Sequence, residues 1–401
     1  MNRLEVARAA LAAGVLGLCG GAAHAQIAVS ANDGEQPRLY EQPVPADFKP
    51  DTVSVIDLNH YPPKVIGAVQ APVSMIGPPT SVGVARDGSF AIVTQSQKYD
   101  TSVPPKVVLD GTVSVIDLKD PRRPAVVQTL TAGPGATGVA INRAQTLALI
   151  AATGDGSVTV YSIAGKRLTQ VGKVQLDPQP GPVDVAISPD GKTALVTQRR
   201  GNGVWRLAIA GTRVTNAGVS YTTGEQTYGA AFSPDSAWGY TSALLGNPVP
   251  PSGAAQAGPG GGSARIGTVS AIDLRRNVVA NTIEVGPTPE HLAMSPDGRY
   301  LAVTVVNGSS ADPTTANYNP YGLLKVYRAE GAKLTQVAEA RTGSWGQGAA
   351  WADNGRVILQ QGAINKEIEV YRFDGKSLTR DPAATLKFDA RPGAIMTQHS
   401  R

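Results

Sequence analysis

The chain has 401 residues and a formal net charge of +5, with 17% charged and 5% aromatic residues. Its basic residues are dispersed, whereas nucleic-acid-binding tracts combine clustered basic residues with aromatic ones, so we expect no nucleic-acid partner. The only cysteine, Cys19, excludes a disulfide framework and a cysteine-based metal or haem site.

Residues 1–25 have the pattern of a secretory signal. Arg3 and Arg8 precede an apolar run that ends at Leu18, and the small-x-small sequence Ala23-His24-Ala25 is typical of a signal-peptidase cleavage site. The apolar run is too short to span a bilayer, and no later stretch is long enough to do so. We therefore expect a cleaved leader, a periplasmic or secreted protein, and no membrane span.

A first repeat has the form V-S-V-I-D-L and alternates apolar with polar residues, which is typical of a strand with two different faces. It follows residues 26–50, which we interpret as an N-terminal extension. Seven copies occur, at residues 53–58, 113–118, 158–163, 204–209, 269–274, 324–329 and 368–373.

A second repeat alternates with the first and consists of a strand, a Pro-Asp-Gly turn and another strand. Proline presets φ, aspartate caps the turn and glycine adopts positive φ, so this sequence is typical of a tight turn. The clearest copies begin at Val183 and His291, and a last copy at Pro392 ends before its second strand. Looser copies begin at Val82, Thr137, Tyr228 and Gln347.

The spacing of the repeats, 44 to 65 residues, is close to the period of a four-stranded propeller blade with its loops. Residues 51–398 are therefore predicted to form an all-β, seven-bladed β-propeller of antiparallel blades. We expect the C-terminal strand, residues 393–397, to join residues 53–58 and 65–69 in one shared blade. This pairing of the two ends closes the ring and removes exposed sheet edges.

These repeats resemble the YVTN-type repeat of the lactonase-like seven-bladed propeller superfamily, over roughly residues 51–398. The tyrosine that gives the repeat its name is absent, and Ile92-Val93-Thr94 and Leu195-Val196-Thr197 stand in its place. The His-containing strand motif expected of the lactonases is also absent. The resemblance implies the fold and leaves the function open, because such propellers include binding proteins, surface-layer proteins, lactonases and dehydrogenase subunits.

The functional face is predicted from the loops. The turns between the first and second strands of each blade are short and uniform, whereas the opposite face carries long connections at residues 96–111, 243–267 and 307–322. Guanidinium groups around the channel on that face favour an anionic ligand, although surface arginines are common and each tyrosine could simply pack on its own loop. The ligand-binding candidates are Asp184, Arg199, Arg200, Glu225, Tyr318, Tyr321, Arg341, Trp345 and Arg391.

One aligned position in the innermost strands is mostly glycine, which fits a crowded channel. The residues at this position are Gly83, Gly138, Asp184, Gly229, His291, Gly348 and Gly393. His291 and the adjacent Glu290 are the candidate acid/base pair, and the alternative is a histidine hydrogen-bonded to backbone in the channel wall. His60, His291 and His399 lie in unrelated positions, so we predict no metal site and no cofactor.

Three functions compete. No Gly-x-Ser-x-Gly, Walker-type loop or haem-attachment motif is present, which favours a non-enzymatic binding or scaffold protein that holds a partner protein or a small anionic ligand, as a monomer. The second hypothesis is a lactonase-like hydrolase or isomerase acting on an acidic small molecule, with His291 or Glu290 as general base. The third is an accessory protein of a periplasmic dehydrogenase.

Overall fold

The computed structural model describes residues 26–35, 48–75, 77–100, 102, 106–176, 181–246, 265–352 and 354–398. The leader predicted at residues 1–25 lies outside these residues. The described residues form β-strands and one short 3-10 helix, Pro382–Ala384. Within the described residues, no helix has the length and hydropathy that a membrane span requires.

Seven antiparallel sheets form a ring, and we number them as blades 1 to 7 along the chain. The strands of each blade follow one another from the innermost, at the channel, to the outermost, at the rim. In that order, blade 1 consists of Arg391–Thr397, Ile27–Asp33, Thr52–Asp57 and Lys64–Gln70; blade 2 of Val82–Val84, Phe90–Thr94, Thr112–Asp117 and Ala125–Thr131; blade 3 of Ala136–Ile141, Leu147–Ala152, Ser157–Ala164 and Arg167–Gln175; blade 4 of Pro182–Ile187, Thr193–Gln198, Gly203–Ala210 and Arg213–Thr222.

The remaining three blades follow the same order. Blade 5 consists of Glu225–Phe232, Trp238–Gly246, Gly267–Asp273 and Val278–Gly286; blade 6 of Pro289–Met294, Tyr300–Val305, Gly322–Glu330 and Lys333–Thr342; blade 7 of Gly346–Trp351, Val357–Gly362, Glu367–Phe373 and an outermost strand in two pieces, Leu378–Arg380 and Leu386–Lys387. A separate hairpin, Gln97–Asp100 with Lys106–Leu109, lies between the second and third strands of blade 2. The predicted seven-bladed, all-β propeller is confirmed.

The ring closes because each innermost strand contacts the innermost strands of both neighbouring blades. Blade 1 joins the two ends of the chain, as predicted, since Ala28 pairs with Thr397 and Val29 with Met396. The prediction of where the propeller begins was wrong. Ile27–Asp33 belongs to the ring as the second strand of blade 1, rather than to an N-terminal extension, because its alternating apolar residues pack between blades 1 and 2.

The hydrophobic core is divided among the seven interfaces between adjacent blades, and each interface holds one large buried cluster. This division follows from the sequence, since alternate residues of every inner strand face opposite neighbouring blades. Blades 1 and 2, for example, share a cluster that includes Val29, Val55 and Val93. Each blade is therefore stabilised by its two neighbours, and the ring is stable as a whole.

The innermost strands of adjacent blades lie very close together at three of the five aligned glycines, Gly138, Gly229 and Gly348. A Cβ added to Gly138 would lie 2.7 Å from the Cα of Asp184 in the next blade. A Cβ on Gly348 would lie 2.9 Å from the Ile395 side chain. These three glycines therefore allow adjacent blades to approach each other, whereas the sequence pattern predicts crowding within the channel itself.

The two faces of the ring differ as predicted. The turn face carries the links between the first and second strands of the blades. In six blades the backbone N–H of the fourth residue of this turn donates to the carbonyl of its first residue, as Gly191 does to Ser188 at 2.8 Å. The loop face carries the links between second and third strands and between successive blades. Most of the long connection predicted at residues 243–267 lies outside the described residues, but its first part, through Gly246, extends the second strand of blade 5.

Candidate functional site

The candidate site lies at the loop face, where the innermost strands begin. Asp184 and His291 do not point into the channel, because both are buried at about 1% exposure and face the next blade. The residues one position earlier form a second aligned column at the start of the innermost strands. These residues are Val82, Thr137, Val183, Tyr228, Glu290, Gln347 and Pro392.

Asp184 links blades 4 and 5. Its Oδ2 atom accepts a hydrogen bond from the backbone N–H of Ala230 at 2.9 Å, and its own N–H donates to Thr197 Oγ1 at 3.0 Å. Because a buried N–H without an acceptor is costly, this carboxylate stabilises the contact between two inner strands. Asp184 therefore connects the innermost strand of blade 4 to that of blade 5.

His291 has an equivalent position between blades 6 and 7. Its Nδ1 atom accepts a hydrogen bond from the backbone N–H of Ala349 at 3.1 Å. The ring is therefore held in the channel wall, as in the alternative interpretation of the sequence. A general base must reach the proton it removes, and the burial of His291 leaves Glu290 as the more accessible member of the pair.

Glu290 is the only partly exposed member of this pair and lies at the centre of a polar cluster. Its Oε2 atom accepts a hydrogen bond from Gln347 Nε2 at 3.0 Å. Burial raises the pKa of Glu290 from 4.5 to about 7, although the positive charge of Arg199 and the side chains of Gln347 and Trp345 act in the opposite direction. Glu290 therefore exchanges its proton near neutral pH.

Arg199 reaches the same cluster from blade 4. Its guanidinium lies over the ring of Tyr228, with its carbon 5.6 Å from the ring centre. Burial raises the pKa of Tyr228, and the charges of Glu290 and Asp184 add to this effect while Arg199 opposes it. Arg199 thus forms a cation–π contact with Tyr228, and its positive charge acts on Glu290 without a direct ion pair between the two side chains among the described residues.

Trp345 and Arg391 line one small pit together with Gln347. Asp33 and Gly77 also line this narrow pit at the loop face. Trp345 is 2% exposed and has a φ of 51°, and its backbone N–H donates to Ser309 Oγ at 2.9 Å. This tryptophan therefore packs beneath the connection between the second and third strands of blade 6 and shapes the wall beside Glu290.

The other sequence-predicted residues lie away from this cluster. Glu225 forms a salt bridge of 2.6 Å with Arg265. The guanidinium of Arg341 lies 4.2 Å from the ring centre of Tyr321, at an exposed position.

Two further candidates contact residues of nearby loops instead of the cluster. Tyr318 donates its backbone N–H to Thr315 within its own loop, at 3.1 Å. Arg200 is exposed, and its stem lies beside Gly181. The structure thus brings together Arg199, Glu290 and Trp345, with Arg391 beside Trp345, and separates the remaining candidates from them.

Two residues of the cluster, Tyr228 and Gln347, were not predicted. Both occupy the aligned position immediately before the glycine column, where the other blades carry Val, Thr, Glu or Pro. Comparing that column across the blades would have identified them. Their side chains supply an aromatic face and an amide donor, which complete the surroundings of Glu290.

Chemically, the cluster combines a permanent cation, an amide and a carboxyl group that titrates near neutral pH. Such a set can bind a carboxylate or hydroxyl group through charge-assisted hydrogen bonds. A metal is a weaker match to these groups. Among the described residues there is no group of three or more His, Cys, Asp or Glu side chains that could hold a metal ion.

Comparisons with known proteins support the fold. No family model and no curated protein matches the sequence. A functionally unknown protein from Desulfotomaculum acetoxidans has a TM-score of 0.66 at 14% identity, over 94% of this chain and 99% of that one. A "putative 6-phosphogluconolactonase" from Bacteroides fragilis also has a TM-score of 0.66, at 15% identity, over 93% of this chain and 98% of that one.

A third similar structure is the β-propeller domain of Cps50 (Swd1) from Myceliophteria thermophila. Its TM-score is 0.57 at 14% identity, over 82% of this chain and 90% of that one. At these identities the similarity shows the fold alone. The similar propellers thus include proteins of different kinds, and none identifies a ligand for this chain.

Proposed function

We propose that this protein is an extracytoplasmic binding protein that holds a small anionic ligand at the loop-face mouth of its channel. The observation that carries the proposal is the convergence of Arg199, Glu290 and Gln347 from three different blades. The signal pattern of residues 1–25 supports export. The absence of a catalytic motif in the sequence favours binding over catalysis.

The cluster suits an anion because its charge balance can adjust. Arg199 carries a permanent positive charge, and Glu290, with a pKa of about 7, is readily protonated. When protonated, Glu290 can donate a hydrogen bond to a ligand carboxylate, while Arg199 supplies the charge-assisted contact. An anionic ligand then favours the protonated form of Glu290, so binding is coupled to proton uptake.

Calorimetric titration with a panel of small carboxylates and hydroxy acids tests this proposal. We expect one class to bind, and we expect Arg199→Gln to weaken its binding by about tenfold or more. Arg341→Gln is the matched control, because Arg341 is an exposed arginine stacked on a tyrosine outside the cluster. Equal binding by the Arg199→Gln protein, or equal losses in both variants, would contradict the proposed site.

A second candidate is a lactone hydrolase at the same position. It is favoured by the pKa of Glu290, which suits a general base at neutral pH, and by the resemblance of the repeats to lactonase-like propellers. In this mechanism ionised Glu290 takes a proton from water as the water attacks the lactone carbonyl. Arg199 stabilises the negative charge that develops on the carbonyl oxygen.

Turnover of a lactone panel distinguishes the two candidates. For a hydrolase we expect kcat/KM to rise with pH through about 7, as Glu290 becomes ionised. Glu290→Gln should then abolish turnover while ligand binding persists. Turnover that is unchanged in Glu290→Gln, or absent throughout the panel while a carboxylate binds, leaves the binding protein as the assignment.

A further inference from the structure

The turn face of the channel holds a second polar cavity, at the opposite end from the cluster around Glu290. Its volume is about 120 Å³, several times the roughly 10–15 Å³ that one water molecule requires. It is lined by the ends of the innermost strands of blades 1, 2 and 3, with Pro296 of blade 6 opposite them. Arg86, Arg143 and Gln398 contribute the long polar side chains.

The two arginines occupy equivalent positions in successive blades. In each turn of this face the fourth residue donates its backbone N–H to the first, as Gly88 does to Ala85 and Gln145 does to Asn142, both at 2.8 Å. Arg86 and Arg143 are the second residues of these turns, where blades 4 to 6 carry proline, the residue that best suits this position. Turn geometry therefore does not require arginine there.

The two turns are also held beside each other. The backbone N–H of Asp87, next to Arg86, donates to Gln145 Oε1, which lies two residues after Arg143, at 3.5 Å. Both side chains are largely exposed to solvent, and partial desolvation together with the charge of Arg86 lowers the pKa of Arg143, so the two guanidinium groups lie close enough to repel each other. Within the described part of the chain, neither guanidinium forms an ion pair or a hydrogen bond.

Gln398 is a further polar side chain that is available to a ligand in this cavity. It is 7% exposed and lines the same cavity, yet its side-chain oxygen has no hydrogen-bond partner among the described residues. Rotating the amide by 180° exchanges its oxygen and nitrogen, so the same side chain can present an N–H to the cavity. An anion would satisfy this donor and both guanidinium groups together.

We propose that this cavity is a binding site for a small oxyanion, such as a phosphate group, held by Arg86, Arg143 and Gln398. Each planar guanidinium can form two parallel hydrogen bonds to such an anion, and the anion offsets the repulsion between the two arginines. The anion is either free or the terminal group of a larger molecule that projects from the channel. The site is distinct from the one proposed at the loop face.

Titration calorimetry with inorganic phosphate tests the proposal, at fixed ionic strength set with chloride. We expect saturable binding, and we expect Arg86→Gln and Arg143→Gln each to lower the affinity by about tenfold or more. The matched control is Arg213→Gln, which removes an exposed arginine at the start of an outermost strand. Binding that chloride reproduces, or that survives both cavity substitutions, would overturn the proposal.

Thermal unfolding without phosphate separates anion binding from a structural role. Arg143→Gln removes one of two like charges, so its thermal unfolding midpoint should equal or exceed that of the natural protein. Added phosphate should raise the midpoint of the natural protein and leave that of Arg143→Gln unchanged. A lower midpoint in phosphate-free buffer would assign Arg143 a structural role and contradict the site. If glycerol 3-phosphate binds more tightly than phosphate, the site takes the terminal group of a larger ligand. If phosphate binds more tightly, the site takes the free ion.

The same titration in Arg199→Gln keeps the two proposed sites separable. This substitution lies at the loop face, so we expect phosphate affinity at Arg86 and Arg143 to be unchanged. Loss of phosphate binding in this variant would show that the anion binds at the loop face, and would overturn the cavity site while leaving the proposed function in place.

Discussion

Replacing Glu290 by glutamine should stabilise the protein at high pH. In the unfolded chain this carboxyl group titrates at its ordinary value of 4.5, whereas burial in the folded protein raises its pKa to about 7. Between these values the folded protein holds a proton that the unfolded chain has released. The free energy of unfolding therefore falls as the pH rises from about 4.5 to about 7, and then stays level.

The size of this effect follows from the same pKa change. A rise from 4.5 to about 7 corresponds to about 3 kcal/mol at pH 8. Because Glu290 is partly exposed, water reduces this figure, and we expect Glu290→Gln to gain about 1–3 kcal/mol. The glutamine oxygen can still accept the hydrogen bond from Gln347, so this contact is retained in the variant.

Urea unfolding at pH 5 and at pH 8 measures this prediction. The free energy of unfolding of Glu290→Gln should exceed that of the natural protein at pH 8 and approach it toward pH 4.5. Glu284→Gln is the control, because Glu284 is an exposed carboxylate on the outermost strand of blade 5 and should show no such gain. If Glu290→Gln shows no larger advantage at pH 8 than at pH 5, the assigned burial of this carboxyl group is incorrect.

Other substitutions test the ring itself. Gly138→Ala should lower the free energy of unfolding in urea by about 1–3 kcal/mol, because the new Cβ would lie 2.7 Å from the next strand. Gly393→Ala is the control and should be tolerated in the same measurement, because the atom nearest to its Cβ is 3.8 Å away. His291→Ala should cost about 2 kcal/mol in thermal or urea unfolding, because the buried N–H of Ala349 loses its acceptor. Deleting Ile27–Asp33 should yield aggregated protein by size-exclusion chromatography; a folded monomer would refute its place in the ring.

The repeats predicted most of the fold because each V-S-V-I-D-L copy and each Pro-Asp-Gly turn reports a local structure. All seven copies form third strands, and the clearest turns, at Gly191 and Gly298, have the expected positive φ. Ile27–Asp33 was missed for a physical reason. Its partner in the repeat is the C-terminal strand, so no turn sequence precedes it, and only its apolar alternation could have indicated a strand.

The candidate site was predicted less completely. Neighbouring residues of a strand point in opposite directions, and the sequence does not say which direction faces the channel. His291 and Glu290 were therefore proposed as a pair, although one faces the next blade and the other lies in the polar cluster. The stacking of Arg341 on Tyr321, outside the cluster, depends on loop conformation, which local patterns do not specify.

The shared blade makes completion of the propeller a late event. Three of its strands are synthesised first, and the fourth, Arg391–Thr397, contains some of the last residues of the chain. Until that strand arrives, Ile27–Asp33 presents an unpaired edge, and joining two such distant segments is a slow, long-range step. A chain without Arg391–Thr397 therefore leaves Ile27–Asp33 as an open sheet edge, and such edges favour aggregation.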